Sequence, residues 1–156
     1  FERDILAPQL ERLNVQAFRY DGYVARISSM KSYFNENMKM LDDVNVDALF
    51  SAGNPIYTKI RDDNPARYIN GSKVSNIMAA DGCIIEGEVE NSILFRGVRV
   101  GKGAWVKNCV LMQDTVIEAD AGVEYVVTDK NATITKGKII KGTVTFPVYV
   151  AKYQIV

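Results

Sequence analysis

Between Val74 and Ile134, small aliphatic residues recur about every five to six positions, separated by polar residues and glycines. Val100, Ala104, Val106, Val110, Val116, Ala121, Val123, Val127, Ala132 and Ile134 stand mostly four and two apart in alternation, with slips. An amphipathic helix spaces its apolar face by three and four, and a half-buried strand by two. The spacing predicts instead a mainly β fold, a left-handed parallel β-helix of hexapeptide repeats. Three short flat strands make one triangular coil, and each sends an aliphatic side chain to the axis. Ala104, Ala121 and Ala132 suit that crowded axis, and the recurrent glycines suit its corners. Such a stack buries its core only by adding coils and leaves open ends. The strand-rich tail from Thr143 to Val156, with Phe146, Val148, Tyr149, Val150, Tyr153 and Ile155, is expected to cover one end or to meet another subunit.

Upstream of Lys73 the periodicity changes. Leu6, Leu10 and Leu13, with Pro8 in a first turn, predict a short helix over 4–13 with one face packed inward. Val15 to Ile27 is rich in β-branched and aromatic residues around Asp21-Gly22, a pattern that predicts a β-hairpin. Met30, Tyr33, Phe34, Met38 and Leu41 share one helical face behind Ser29, a residue suited to the N-cap, which predicts a helix over 29–41. Residues 42–72 carry turn chemistry at Gly53-Asn54-Pro55, Asp62-Asp63-Asn64-Pro65 and Asn70-Gly71. They are expected to form a connector ordered through Ile56, Tyr57, Ile60 and Tyr68. The organisation is therefore an α+β segment over 1–43, a connector over 44–72 and the β-helix with its tail over 73–156.

Composition narrows the chemistry. With 47% apolar residues in 156, the chain can bury a real core. Nineteen basic and nineteen acidic residues cancel without blocks of like charge, so neither nucleic acid nor a membrane surface is expected as a partner. No apolar run reaches the roughly 18 residues of a membrane span. Phe1-Glu2-Arg3-Asp4 reads neither as a signal peptide nor as an initiator sequence, so a cytoplasmic fragment is expected. Cys83 and Cys109 lie inside the periodic apolar sequence without partners at metal-like spacing, and are expected as buried thiols.

The chain has no histidine. A β-helix acyltransferase with a histidine base, or a carbonic anhydrase with three histidine zinc ligands, cannot be built from it. Gly101-Lys102 and Gly137-Lys138 lack the frame of a phosphate loop and are expected as corners. Trp105 should point outward, since Ala104 before it points in. No catalytic residue and no metal ligand is assigned within the segment.

Several short blocks occur in order: Asp21-Gly22-Tyr23, Ser32-Tyr33-Phe34-Asn35-Glu36-Asn37, Pro55-Ile56-Tyr57-Thr58, Pro65-Ala66-Arg67-Tyr68, Asp81 to Gly87, and Ser92 to Val100. Together they resemble the C-terminal half of bacterial glucose-1-phosphate adenylyltransferase, also called ADP-glucose pyrophosphorylase, from Phe1 to at least Asn131. The resemblance implies a nucleotidyltransferase domain joined to a left-handed β-helix, making ADP-glucose from ATP and glucose 1-phosphate with Mg²⁺, for glycogen synthesis. It places the nucleotide loop upstream of Phe1, so the segment alone is expected not to catalyse and to need no cofactor of its own.

Where the family pattern has Trp-x-Asp-Val-Gly-Thr after Gly-Tyr, this chain reads Val24-Ala25-Arg26-Ile27-Ser28-Ser29. Arg26 thus occupies the place of an aspartate that the resemblance assigns to Mg²⁺, and a guanidinium cannot ligate that ion. The resemblance is therefore to the non-catalytic, regulatory kind of subunit, working in an oligomer with a catalytic subunit. An active nucleotidyltransferase subunit stands as the alternative, and behind it a hexapeptide-repeat acyltransferase in which a cysteine or carboxylate would replace the histidine base. The resemblance also implies a small anionic or phosphorylated effector, with Lys130, Arg67 and Arg96 as candidate contacts.

Overall fold

A computed structural model describes residues 1–50, 53, 55–59 and 62–156. From Arg67 onward the chain winds as the expected parallel β-helix. Its first face holds β1 (Arg67–Tyr68), β3 (Ile84–Ile85), β5 (Arg99–Val100), β8 (Val116–Ile117) and β11 (Thr133–Ile134), paired in that order. β2 (Lys73–Ala79) and β4 (Glu88–Leu94) are long enough to run along the second face, turn and continue along the third. Below them the two faces separate. β6 (Trp105–Lys107), β9 (Gly122–Glu124) and β12 (Ile139–Lys141) continue the second. β7 (Val110–Leu111), β10 (Val126–Thr128) and β13 (Val148–Val150) continue the third.

The slips in the sequence period have a structural cause. A coil takes 17 residues rather than three hexapeptides, because a single left-handed residue turns the second face into the third without a separate loop. That residue is Asn76, Asn91, Asn108 and Tyr125 in successive coils, with φ of 50, 44, 50 and 51°. Asparagine tolerates this region; tyrosine does so at a cost in strain. From Ile84 to Arg99 the coil takes only 15 residues, the pair being lost at the Glu86-Gly87 corner. The corner closes so tightly that a Cβ on Gly87 would collide with the carbonyl oxygens of Ala104 and Gly101.

Of the periodic set, Val110, Val116 and Val127 face outward, because a strand residue next to an inward one points to the opposite side. The axis is lined as expected by Val100, Ala104, Val106, Ala121, Val123, Ala132 and Ile134, joined by Ile85, Val89 and Ile117. Three polar side chains join them with their hydrogen bonds made. Ser92 Oγ donates to the Glu90 carbonyl (2.7 Å) and accepts from the Cys109 N–H (3.0 Å), while Thr115 and Thr128 hydroxyls pair at 2.9 Å.

The tail adds the last coil. β13 lies in register on β10, and Thr133 and Thr135 exchange backbone bonds with Gln154 and Val156. It thus covers one end of the stack, leaving Phe146, Tyr153 and Ile155 on the surface.

The upstream segment departs from expectation in four places. Val15 to Ile27 forms no hairpin: it carries no strand and no strand pairing, with Phe18, Val24 and Ile27 exposed. A two-stranded ribbon without a third strand or a helix to pack on is marginal, and here the first arm meets neither. The helix over 4–13 shortens to a helical run through Glu2–Leu6 and α1 (Ala7–Gln9), burying no residue, since Leu10 and Leu13 find nothing to pack on. Within the 44–72 stretch, Asp42 caps α3 (Asp43–Leu49) by accepting the Val44 N–H at 3.1 Å, and the coil itself starts before Lys73, at β1. Ile56, Tyr57 and Tyr68 do not anchor the connector: they are exposed, because no earlier coil lies above β1, and Ile60 lies outside the described residues.

The helix over 29–41 is present as α2 (Met30–Met38) followed by a 3-10 turn at Lys39–Leu41. Ser29 and Ser32 cap it reciprocally, each side chain accepting from the other's backbone N–H. Phe34, 3% exposed, sets α2 onto the outer side of the third face, against Val110 and Val127 and tilted on Tyr125 at 6.2 Å between ring centroids. Tyr125 therefore accepts its left-handed backbone where its ring completes this second, smaller core.

Candidate functional site

The outward column of the first face runs Arg67, Ile84, Arg99, Val116, Thr133, each residue in register with the next. Arg67 and Arg99 overhang a groove of about 800 Å³ whose bed is Ile84 and Val116. Gly82 and Gly97, with φ of +75 and +71°, open its side, because neither presents a side chain at the corner. Both carboxylates in the groove are turned onto backbone. Asp63 Oδ1 accepts the Asn64 N–H at 2.8 Å, and the Asp114 carboxylate lies directly over Gly97. Neither arginine has a carboxylate within 4.0 Å among the described residues.

Arg96 and Lys130 stand elsewhere, on the corner between the third face and the first. The Asp114 N–H donates to the Arg96 carbonyl, Asn131 N–H to Gln113 and Tyr153 N–H to Lys130, which stacks Arg96, Gln113 and Lys130 one coil apart along a ridge that ends beside Lys152. Arg96 is half-buried and Lys130 exposed. Asp129 beside them accepts from the Lys130 N–H (2.7 Å) and the Tyr149 hydroxyl (3.0 Å). These bonds, the backbone one foremost, with the charges of Lys152 and Lys130, hold its carboxyl below the usual range. The three cations expected to act together are thus divided: Arg96 and Lys130 share the ridge, and Arg67 joins Arg99 in the groove. Arg99 escaped the sequence reading, although its spacing from Arg67 by one whole coil on either side of Ile84 was available once the coil length is known.

Arg26 is exposed, in the irregular segment before α2. That segment is tied to α2 by the Tyr23 hydroxyl, which donates to Glu36 Oε2 at 2.8 Å. The bond raises the Tyr23 pKa; the Glu36 carboxyl is lowered by Lys39 first and Tyr23 second. Val24 to Ser29 contains no carboxylate, so this stretch does not fit a Mg²⁺ site of the kind the resemblance implies. No group of three or more His, Cys, Asp or Glu able to hold a metal occurs among the described residues.

Both thiols face inward and are free. Burial raises Cys83 and pushes Cys109 up to about 12, which removes thiolate and with it nucleophilic character. Trp105 points outward, as expected, but lies flat over Gly122, whose missing side chain makes its bed, with Lys141 Nζ 5.1 Å above the ring.

A solenoid of this geometry, with 17-residue coils and an aliphatic axis, matches over residues 60–143 the family described as "GlmU-like, C-terminal hexapeptide". The chain belongs to this hexapeptide-repeat family. Within known proteins, it is 41% identical over 140 residues, 90% of its length, to the glycogen biosynthesis protein GlgD of Bacillus subtilis. It is 39% identical over 110 residues, 69% of its length, to glucose-1-phosphate adenylyltransferase of Geobacillus stearothermophilus, and 49% identical over 70 residues, 45% of its length, to GlgD of the same organism. It spans 41, 28 and 20% of the lengths of these relatives. The hexapeptide repeats account for the solenoid and the longer matches reach beyond it into the helical segment. No helix among the described residues is long and apolar enough to cross a membrane.

Proposed function

We propose that this chain is part of a regulatory, GlgD-type subunit that assembles with a catalytic glucose-1-phosphate adenylyltransferase subunit in the cytoplasm. Its hexapeptide solenoid serves as assembly surface and carries effector state to the partner. The single observation that supports this most is Arg26, a cation in a stretch without carboxylates, within a chain 41% identical to GlgD over 90% of its length. The absence of histidine supports it further by excluding the usual base of β-helix acyl transfer. In this reading Mg²⁺ belongs to the catalytic partner, and the Arg96–Lys130 ridge takes an anionic effector through charge-assisted hydrogen bonds.

The test uses the full-length subunit alone and mixed with the Geobacillus-type catalytic subunit, with ADP-glucose formation as the readout. The subunit alone is expected to be inactive, and to change the partner's effector response when both are present. Clear activity of the unaltered subunit alone would overturn the regulatory reading in favour of an active nucleotidyltransferase. Arg26→Asp in the isolated subunit shows whether this position is what was lost: activity appearing on substitution places the defect there.

A further inference from the structure

Asn70-Gly71 is the only asparagine-glycine pair in the chain, and it forms the corner that joins β1 to β2. The backbone on either side of it is held. The Ile69 N–H donates to the Ile85 carbonyl (2.9 Å), the Ser72 N–H to the Ile69 carbonyl (2.9 Å) and the Lys73 N–H to the Gly87 carbonyl (3.1 Å). The peptide between Asn70 and Gly71 is not: among the described residues neither its carbonyl nor its N–H has a backbone partner. Both residues are exposed, Gly71 takes a φ of +94°, and no atom lies within 4 Å of where its side chain would stand. No coil lies above β1 to cover the corner.

Asparagine is a thermolabile residue because the nitrogen that follows it can close a five-membered ring on its side-chain amide. A side chain on the next residue crowds that nitrogen and a structured backbone keeps it from turning; Gly71 imposes neither obstacle. We propose that Asn70 is a site of spontaneous covalent modification, with water as the co-reactant. Hydroxide takes the Gly71 N–H proton, the nitrogen attacks Asn70 Cγ, and the bond from Cγ to Nδ2 breaks, Nδ2 taking up a proton to leave as ammonia. Water then opens the succinimide, its hydroxyl going to a carbonyl carbon and its proton to the Gly71 nitrogen. Addition at Cγ leaves an aspartyl residue; addition at the Asn70 main-chain carbonyl leaves an isoaspartyl residue, with the chain running through Cβ and Cγ. No electron is gained or lost. Either product adds a carboxylate at the corner, where Gly71 shares a trough with Glu86 and Glu88. Other asparagines are held back by their surroundings. Asn91, Asn108 and Asn131 also turn corners, but each precedes a residue buried in the axis, Ser92, Cys109 or Ala132. Asn64 precedes a proline, which has no N–H, and Asn14 and Asn45 precede N–H groups already donating to Leu13 and Asp42.

The test incubates the full chain in heavy-oxygen water at mildly alkaline pH and maps its peptides by mass, with fragmentation that separates aspartyl from isoaspartyl products. The peptide holding Asn70 is expected to exchange its amide for an acid carrying one heavy oxygen, at a rate that rises with pH and exceeds that of every other asparagine at least tenfold. The same chain unfolded in guanidinium supplies the comparison that isolates the structure from the sequence. Folding should change the rate at Asn70 no more than severalfold, because the central peptide is free, while slowing Asn91 at least tenfold. Asn70→Gln, whose longer side chain would need a six-membered ring, should remove the reaction at this corner and leave thermal melting unchanged. Gly71→Ala should slow it at least tenfold in the unfolded chain, where the strain of a positive φ plays no part. An Asn70 that stays intact in the folded chain while reacting in guanidinium overturns the proposal, as does an Asn91 reacting as fast as Asn70 in the folded chain. None of these outcomes bears on assembly with a catalytic subunit, which the activity assay of mixed subunits reads independently.

Discussion

Phe34 is the place where the helical segment and the solenoid are joined, and its removal should separate them. The side chain is 3% exposed and touches a core of its own, built with Val110, Val127 and Tyr125, distinct from the axial core of the coils. Truncating a buried phenylalanine to alanine costs about 3 to 5 kcal/mol, of which the tilted contact with Tyr125 accounts for about 0.5 to 1.5 kcal/mol. α2 has nine residues, too few to stay helical in water without packing. Phe34→Ala should therefore release and melt α2, at a loss near the lower figure because one side of the site faces a relaxing helix. About 3 kcal/mol is about two powers of ten in an opening equilibrium. Hydrogen exchange measures this directly: the amides of Phe34 to Met38 should lose about a hundredfold in protection, while those of Ile117 and Val123, bonded within the coils, keep theirs. Phe34→Leu, which keeps most of the volume, should lose less than tenfold. If Ile117 and Val123 lose protection in step with Phe34, the two cores are one cooperative unit and the division drawn here is wrong.

Corner glycines and the buried thiol give further expectations. Gly87→Ala should destabilise far more than Gly97→Ala or Gly103→Ala in thermal melting. The last two face the movable carboxylates of Asp114 and Asp120 and cost about 1 to 2 kcal/mol for their positive φ, whereas a Cβ at 87 meets backbone that cannot step aside; equal losses at 87 and 97 would refute the account of the short coil. For Cys109, the folded pKa of about 12 lies above that of an unfolded thiol. Its contribution to stability is therefore complete below about pH 9 and is lost as pH rises toward 12, because unfolded chains give up that proton first. Wild type should lose stability relative to Cys109→Ala by up to about 1.4 kcal/mol per pH unit across that window in denaturant titrations, and parallel pH profiles would show that the thiol is not held protonated.

The axis was legible in the sequence because burial there obeys one rule. Every inward position of a coil is enclosed by the coils on both sides, so nearly all of them are apolar, from Ala104 and Ala121 through Val106 and Val123 to Ile85 and Ile117, and they stand out whatever surrounds the solenoid. Outward positions obey no such rule. Val110 and Val127 have the same residue types as exposed rungs, yet they are buried because α2 happens to cross the third face, which nothing between Cys109 and Thr128 announces. The same distinction explains the candidate site. Lys130 and Arg96 could be named from matching blocks one at a time, but grouping requires the register, and the register is not a fixed hexapeptide: it runs in coils of 17 residues broken by one of 15. Counting whole coils of 17 from Arg67 leads to Ile84 and then to Gly101; the coil of 15 puts Arg99 in the column instead, while Arg96 lies around the corner. The two residues dropped at Gly87 thus hide the column from any fixed repeat, and restoring them by insertion at that corner should leave Arg99 beside Ile84 and in column with Arg67, because the lengthened coil then matches its neighbours.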